Sequence, residues 1–219
     1  EKPNFVLDLH AWGSSPQDHF HPWIHSELTK QEIPCVTPSL PDADYPVLEK
    51  WLKTAEEHLV KNSSNTVVVG RSLSCWAALK LAEKQQLHKL VLIAPTLPTS
   101  IWYKNIKKYC ESDRQYELVR DFVGSGLNFK KVKENVDEIV VMLSTNDPYI
   151  DMGDAEQFFA DHFQEARVVR IRDAGHFDTK HGYKEFPTFL EEIVRPVRLD
   201  LRQLPESDLQ VLLPDDVDF

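Results

Sequence analysis

Five short apolar runs, rich in valine and isoleucine, punctuate the chain at residues 5–9, 66–69, 89–94, 138–143 and 167–171, and they narrow the possible folds more than any other feature. Most of them, such as Val67-Val68-Val69 and Ile139-Val140-Val141-Met142-Leu143, are continuously apolar. That is the pattern of strands buried on both faces of a parallel sheet, not of strands with one wet face. A weaker sixth candidate spans 33–37, where Pro34 points to a strand start or a sheet edge. Residues 23–30, 45–61, 73–85, 153–163 and 182–194 carry apolar side chains at helical spacing, as in Leu48, Trp51, Leu52, Ala55 and Leu59. Parallel neighbours need right-handed crossovers, so the chain is expected to be an α/β protein with a single mostly parallel sheet and helices on both faces.

A chain of 219 residues, 42% hydrophobic, suits one domain, expected over 1–202. The stretch 95–136 is too long for a simple crossover helix and holds Trp102, Tyr103, Tyr109, Tyr116, Phe122 and Phe129, so part of it is expected to form a small cap. Residues 203–219 contain Glu206, Asp208, Asp215, Asp216 and Asp218 without a single Lys or Arg, which reads as an acidic tail. With 25 Lys+Arg against 35 Asp+Glu, the net charge of -10 disfavours nucleic acid and anionic membrane surfaces as partners. No apolar run approaches the roughly 20 residues of a membrane span, and the first residues lack a signal peptide's layout. Cys35, Cys75 and Cys110 lack the number and spacing of a disulfide scaffold or zinc finger. The expectation is a soluble, cytoplasmic protein.

The chemistry concentrates in Gly70-Arg71-Ser72-Leu73-Ser74, where a buried strand runs straight into a helix. Small residues two before and two after a serine permit the sharp turn of a nucleophile elbow, which lifts the hydroxyl above the sheet at a helix N-terminus. A serine there also suits simple helix capping. As a nucleophile it needs a histidine base and a carboxylate to orient that base. Asp147 follows the strand at 138–143 and His176 follows the strand at 167–171, so both fall at strand carboxyl ends, where open parallel sheets collect their ligands. The order Ser72, Asp147, His176 is that of the α/β-hydrolases. Asp151 and His181 are the alternatives for acid and base. The backbone N–H groups of Leu73 and Trp12, the latter in the loop after the first strand, are expected to form the oxyanion hole.

At these residues the chain resembles the small serine hydrolases of the retinoblastoma-binding protein 9 and YdeN type, within the α/β-hydrolase superfamily. The resemblance covers roughly Phe5 to Val194. It includes His10-Ala11-Trp12-Gly13 with His19-Phe20-His21-Pro22-Trp23, Pro38-Ser39-Leu40-Pro41 leading to Trp51-Leu52, the elbow, and the Asp147 and His176 loops. Two departures are Ala11, where the family usually has glycine, and Arg71-Ser72-Leu73-Ser74, where it usually has a His-Ser-x-Gly elbow. The family member's Leu-x-Cys-x-Glu motif is incomplete at Leu73-Ser74-Cys75-Trp76-Ala77, so no retinoblastoma partner is implied.

Among the remaining features, His19, His21 and His25 beside Asp18 raise the idea of a metal, but no further donors complete a site and none is expected. Of the five tryptophans only Trp12 and Trp102 are expected near the chemistry. The expectation is therefore a serine hydrolase cleaving small carboxylic esters with Ser72, His176 and Asp147, using no cofactor. The alternatives are a peptidase or thioesterase with the same triad, or a catalytically idle hydrolase fold that binds a protein partner.

Overall fold

A computed structural model of the protein describes residues 2–59 and 65–197. Six strands, β1 (Phe5–Leu9), β2 (Cys35–Val36), β3 (Thr66–Arg71), β4 (Leu87–Ile93), β5 (Val136–Ser144) and β6 (Arg167–Ile171), form one parallel sheet in the order β2-β1-β3-β4-β5-β6. Its centre is dry. Val6, Leu7, Val67, Val68, Val69, Leu90 to Leu92, Val140 and Val141 have no exposed surface, as their unbroken apolar runs require.

The crossovers are α1 (His21–Lys30), α2 (Leu48–His58), α3 (Ser74–Ala82), a three-helix insert of α4 (Ser100–Ile106), α5 (Asp113–Gly124) and α6 (Phe129–Asn135), then α7 (Met152–His162), with α8 (Pro187–Val194) closing the described chain. The step from β1 to β2 runs opposite to all later steps across the sheet, so right-handed crossovers place α1 on the face opposite α2 and α3. α8 joins α1 there, and α6 packs beside α3. The reversal lies between β1 and β3, which makes the carboxyl ends of those strands the crevice where such sheets hold ligands.

Several expectations are trimmed by local chemistry. The helix expected over 45–61 begins only at Leu48, because Val47, just after Pro46, is extended. The last helix starts at Pro187 and not at 182: Gly182, at φ 90°, ends a 3-10 turn (Thr179–His181). β6 is an edge strand and is only half-buried, with Arg170 exposed, unlike its inner neighbours. The weak candidate at 33–37 supplies two paired residues at the opposite edge. Within 95–136, α5 buries Val119, Phe122 and Val123, and the Phe122 ring meets the Trp51 ring of α2 edge-on at 5.1 Å. No helix among the described residues is long and apolar enough to cross a membrane. The acidic stretch 203–219 lies outside the described residues.

Candidate active site

The turn from β3 into α3 is built by small residues. A Cβ on Gly70 would lie 2.6 Å from Cα of Cys75 and 2.8 Å from the carbonyl oxygen of Ser74, so only glycine lets the helix start that close to the strand. Ser74 accepts the Arg71 N–H at 2.9 Å on its hydroxyl, which itself reaches the Leu9 carbonyl at 2.8 Å and ties the turn to β1. Ser72 is forced to a φ of 54°, a conformation that costs a non-glycine residue on the order of 1–3 kcal/mol and is held by its surroundings. Its N–H donates to the Ile93 carbonyl at 2.9 Å and its carbonyl accepts the Thr96 N–H at 3.1 Å, so the end of β4 and the loop after it hold the turn in place. The Ser72 Oγ meets Thr96 Oγ1 at 3.4 Å.

Asp147 and His176 arrive from the ends of β5 and β6. Asp147 Oδ1 accepts the N–H groups of Tyr149 and Ile150 at 2.9 and 3.1 Å, which leaves Oδ2 facing Nδ1 of His176 at 2.8 Å. That contact places a proton on Nδ1 and leaves Nε2 free to accept one. The loop of His176 turns tightly at Gly175, φ 55°, whose N–H donates to Asn146 Oδ1 at 2.7 Å, joining the two loops. Burial pushes the His176 pKa below its ordinary value, against the pull of the Asp147 hydrogen bond and charge and with the help of Arg71. The Tyr149 ring lies edge-on to the imidazole at 4.8 Å.

Ser72 and His176 line one cavity of about 620 Å³, without a hydrogen bond between them among the described residues. Such contacts are often long without substrate and tighten around it. Trp12 and Leu73 border the same space, and neither of their backbone N–H groups has an acceptor among the described residues. The Trp12 loop is braced by its indole N–H on the Asp44 carbonyl at 3.1 Å and by the Gly13 N–H on Ala43 at 2.9 Å. From the insert, Trp102, Ile106, Tyr109 and Val119 supply an apolar wall.

The alternatives sit elsewhere. Asp151 caps α7, accepting the Asp154 N–H at 2.8 Å, and His181 is exposed and bonded to Asp178 at 2.7 Å. Trp102 lines the cavity with Trp12, whereas Trp51 and Trp76 are core. The three neighbouring histidines diverge: His21 turns into the core against Asp8 at 2.6 Å, His25 is exposed, and His19 borders the cavity. No three metal-ligating side chains cluster among the described residues.

His19, weighed in the sequence only as one of three clustered histidines, borders the cavity. It stands at φ 55°, and its Nδ1 accepts the Thr179 N–H at 3.1 Å, so the neutral ring carries its proton on Nε2. Burial, together with the charge of Arg71, lowers its pKa to about 4, so it stays neutral at physiological pH. The repeated histidines before Pro22-Trp23 were its only signal.

A family model described as serine hydrolase matches residues 6–195. YdeN of Bacillus subtilis (strain 168) is 24% identical over 191 residues, covering 83% of this chain and 90% of that protein. The serine hydrolase RBBP9 of Rattus norvegicus is 24% identical over 179 residues, 80% of this chain and 83% of its own length. The crystal structure of the ydeN gene product superposes with a TM-score of 0.72 at 20% identity, covering 87% of this chain and 96% of that one. The family match runs without a break from β1 through the elbow and both carboxyl-end loops to the end of α8, and the chain therefore belongs to the serine hydrolase family.

Proposed function

We propose that the protein cleaves small carboxylic esters through an acyl-enzyme. Ser72 attacks the ester carbonyl while Nε2 of His176 takes its proton; the same nitrogen then protonates the departing alcohol. Asp147 holds the tautomer and stabilises the imidazolium. The backbone N–H groups of Trp12 and Leu73 receive the oxyanion of the tetrahedral intermediate. Water repeats the attack on the acyl-enzyme with His176 as base, releasing the acid and restoring Ser72. No cofactor or metal enters this scheme.

The observation that carries the reading is the conjunction of a strained Ser72 with the His176–Asp147 contact of 2.8 Å around one cavity. The cavity's aromatic border favours small acyl groups over long chains. The free state of Cys35, Cys75 and Cys110 agrees with a reducing compartment, and a cytoplasmic location is part of the proposal. The test is fluorophosphonate labelling of wild type and Ser72→Ala, followed by p-nitrophenyl esters from acetate to palmitate. Labelling is expected on Ser72 alone, with acetate and butyrate turned over faster than palmitate. Equal labelling of both proteins would overturn the nucleophile, and faster turnover of palmitate would overturn the substrate class.

A further inference from the structure

The elbow asks little of the residue between Gly70 and Ser72, yet the chain places an arginine there and buries it to 3% exposure. Its Nη2 donates to the main-chain carbonyl of His176 at 2.8 Å, while its Nε has no acceptor among the described residues. The carboxylates that act on it, Asp178, Asp147 and Asp18, are each engaged by other groups: His181, His176 with two backbone amides, and the Ser14–Ser15 turn. Arg71 makes no ion pair among the described residues. Burial lowers its pKa to about 10, which leaves it charged at neutral pH. An enclosed and unpaired cation is costly to the fold, so its retention beside a nucleophile calls for a reason in the chemistry.

We propose that Arg71 is a positioning residue for the base: from the nucleophile's own turn it grips the carbonyl of His176 and sets a positive charge beside the imidazole. The inference rests on the assignment of Ser72 and His176 above. Arg71 borders the cavity but is 3% exposed and spends Nη2 on the His176 carbonyl, so its action is taken to run through His176. The charged groups around that imidazole are Asp147 from the loop after β5, Asp178 from the base's own loop, and Arg71 from the end of β3. On the loop after β1, His19 is turned to Thr179, and Tyr149 presents its ring. The two carboxylates favour the imidazolium, while Arg71 and burial oppose it. Arg71 therefore keeps the base free to accept the serine's proton at a lower pH than the carboxylates alone would allow.

The test compares Arg71→Lys, Arg71→Gln and Arg71→Met for ester kcat/KM against pH, beside fluorophosphonate labelling of wild type. Glutamine keeps a donor and loses the charge, lysine keeps the charge, and methionine loses both. The acid-limb midpoint should rise by about one pH unit in Gln and Met and stay near wild type in Lys. At the pH plateau, kcat should fall at least tenfold in Met with a smaller change in KM, and Lys should recover most of it. A midpoint that is the same in Lys and Gln, or a Lys variant as impaired as Met, would overturn the inference; if Met does not fold, the Lys and Gln pair still decides. An unlabelled wild type would instead remove the serine reading, and this inference with it.

Discussion

Oδ2 of Asp147 lies 2.8 Å from Nδ1 of His176, and the other oxygen of the same carboxylate is held by two backbone N–H groups. The carboxylate is thus fixed in place, with its side chain 2% exposed. Asp147→Asn should fold normally and lose on the order of 10⁴ in kcat, because the amide stabilises the wrong tautomer. Asp151→Asn should keep its turnover, since that residue caps α7. Ester kinetics on both variants, with circular dichroism to establish folding, checks the pair.

The pH profile should place the acid limb of kcat/KM below 6.5, the ordinary histidine value. Burial lowers the His176 pKa more than Asp147 raises it. In the proposed mechanism His176 works when neutral, so activity is expected to be constant above the midpoint and to fall tenfold per pH unit beneath it. A midpoint above 6.5 in wild type would contradict the geometry.

Stability should also fall with acidity. His19, His10 and His176 all have lowered pKa values in the folded protein, His19 to about 4, with burial the leading cause for each. As pH drops through about 6.5, the unfolded chain takes up protons that the folded chain refuses. Stability is therefore expected to be full above that pH and to be lost progressively toward pH 4. Urea denaturation across this window measures it. In His19→Asn, which tolerates φ 55°, the decline should be shallower.

Gly70→Ala tests the elbow's sterics directly. Its Cβ would stand within 2.8 Å of three backbone atoms of Ser74 and Cys75, none of which can move without shifting α3. A loss of about 1–3 kcal/mol is expected from overpacking. The displaced Ser72 should also react more slowly with a fluorophosphonate. A variant with unchanged stability and labelling would show that the turn is looser than described.

Beneath the site, Asp8 and His21 form a pair with no exposed side-chain surface, 2.6 Å apart, and Thr37 adds a hydroxyl at 3.3 Å. Removing one partner strands the other in the core, so Asp8→Ala should cost about 3–5 kcal/mol. Replacing both by apolar residues of similar volume should recover much of that loss. Denaturant melts of the single and double variants separate these outcomes.

Much of the fold and of the candidate site was legible in the one-dimensional chain because it is written in short-range terms. Unbroken runs such as Val67-Val68-Val69 demand a doubly covered strand, and Gly70, Ser72 and Ser74 sit close enough that local sterics alone define the turn. Asp147 and His176 were singled out by the same reasoning, since each follows its strand within a few residues and strand ends converge in this topology, and their side chains meet at 2.8 Å. The direction of individual side chains was not legible. His19 and His21 are two residues apart, yet one borders the cavity and bonds Thr179 while the other enters the core to meet Asp8. Arg71 stands out in the sequence only as a departure from the family's elbow; its burial and its partner are unreadable until the loop at His176, distant in sequence, supplies a carbonyl for it. Likewise the apolar residues of 95–136 announced a covered surface but not which one, until Phe122 met Trp51. Local periodicity and backbone sterics are properties of neighbouring residues and were determined by the sequence directly. Which buried polar group finds which partner depends on packing between segments far apart in the chain, and only the tertiary structure decided that.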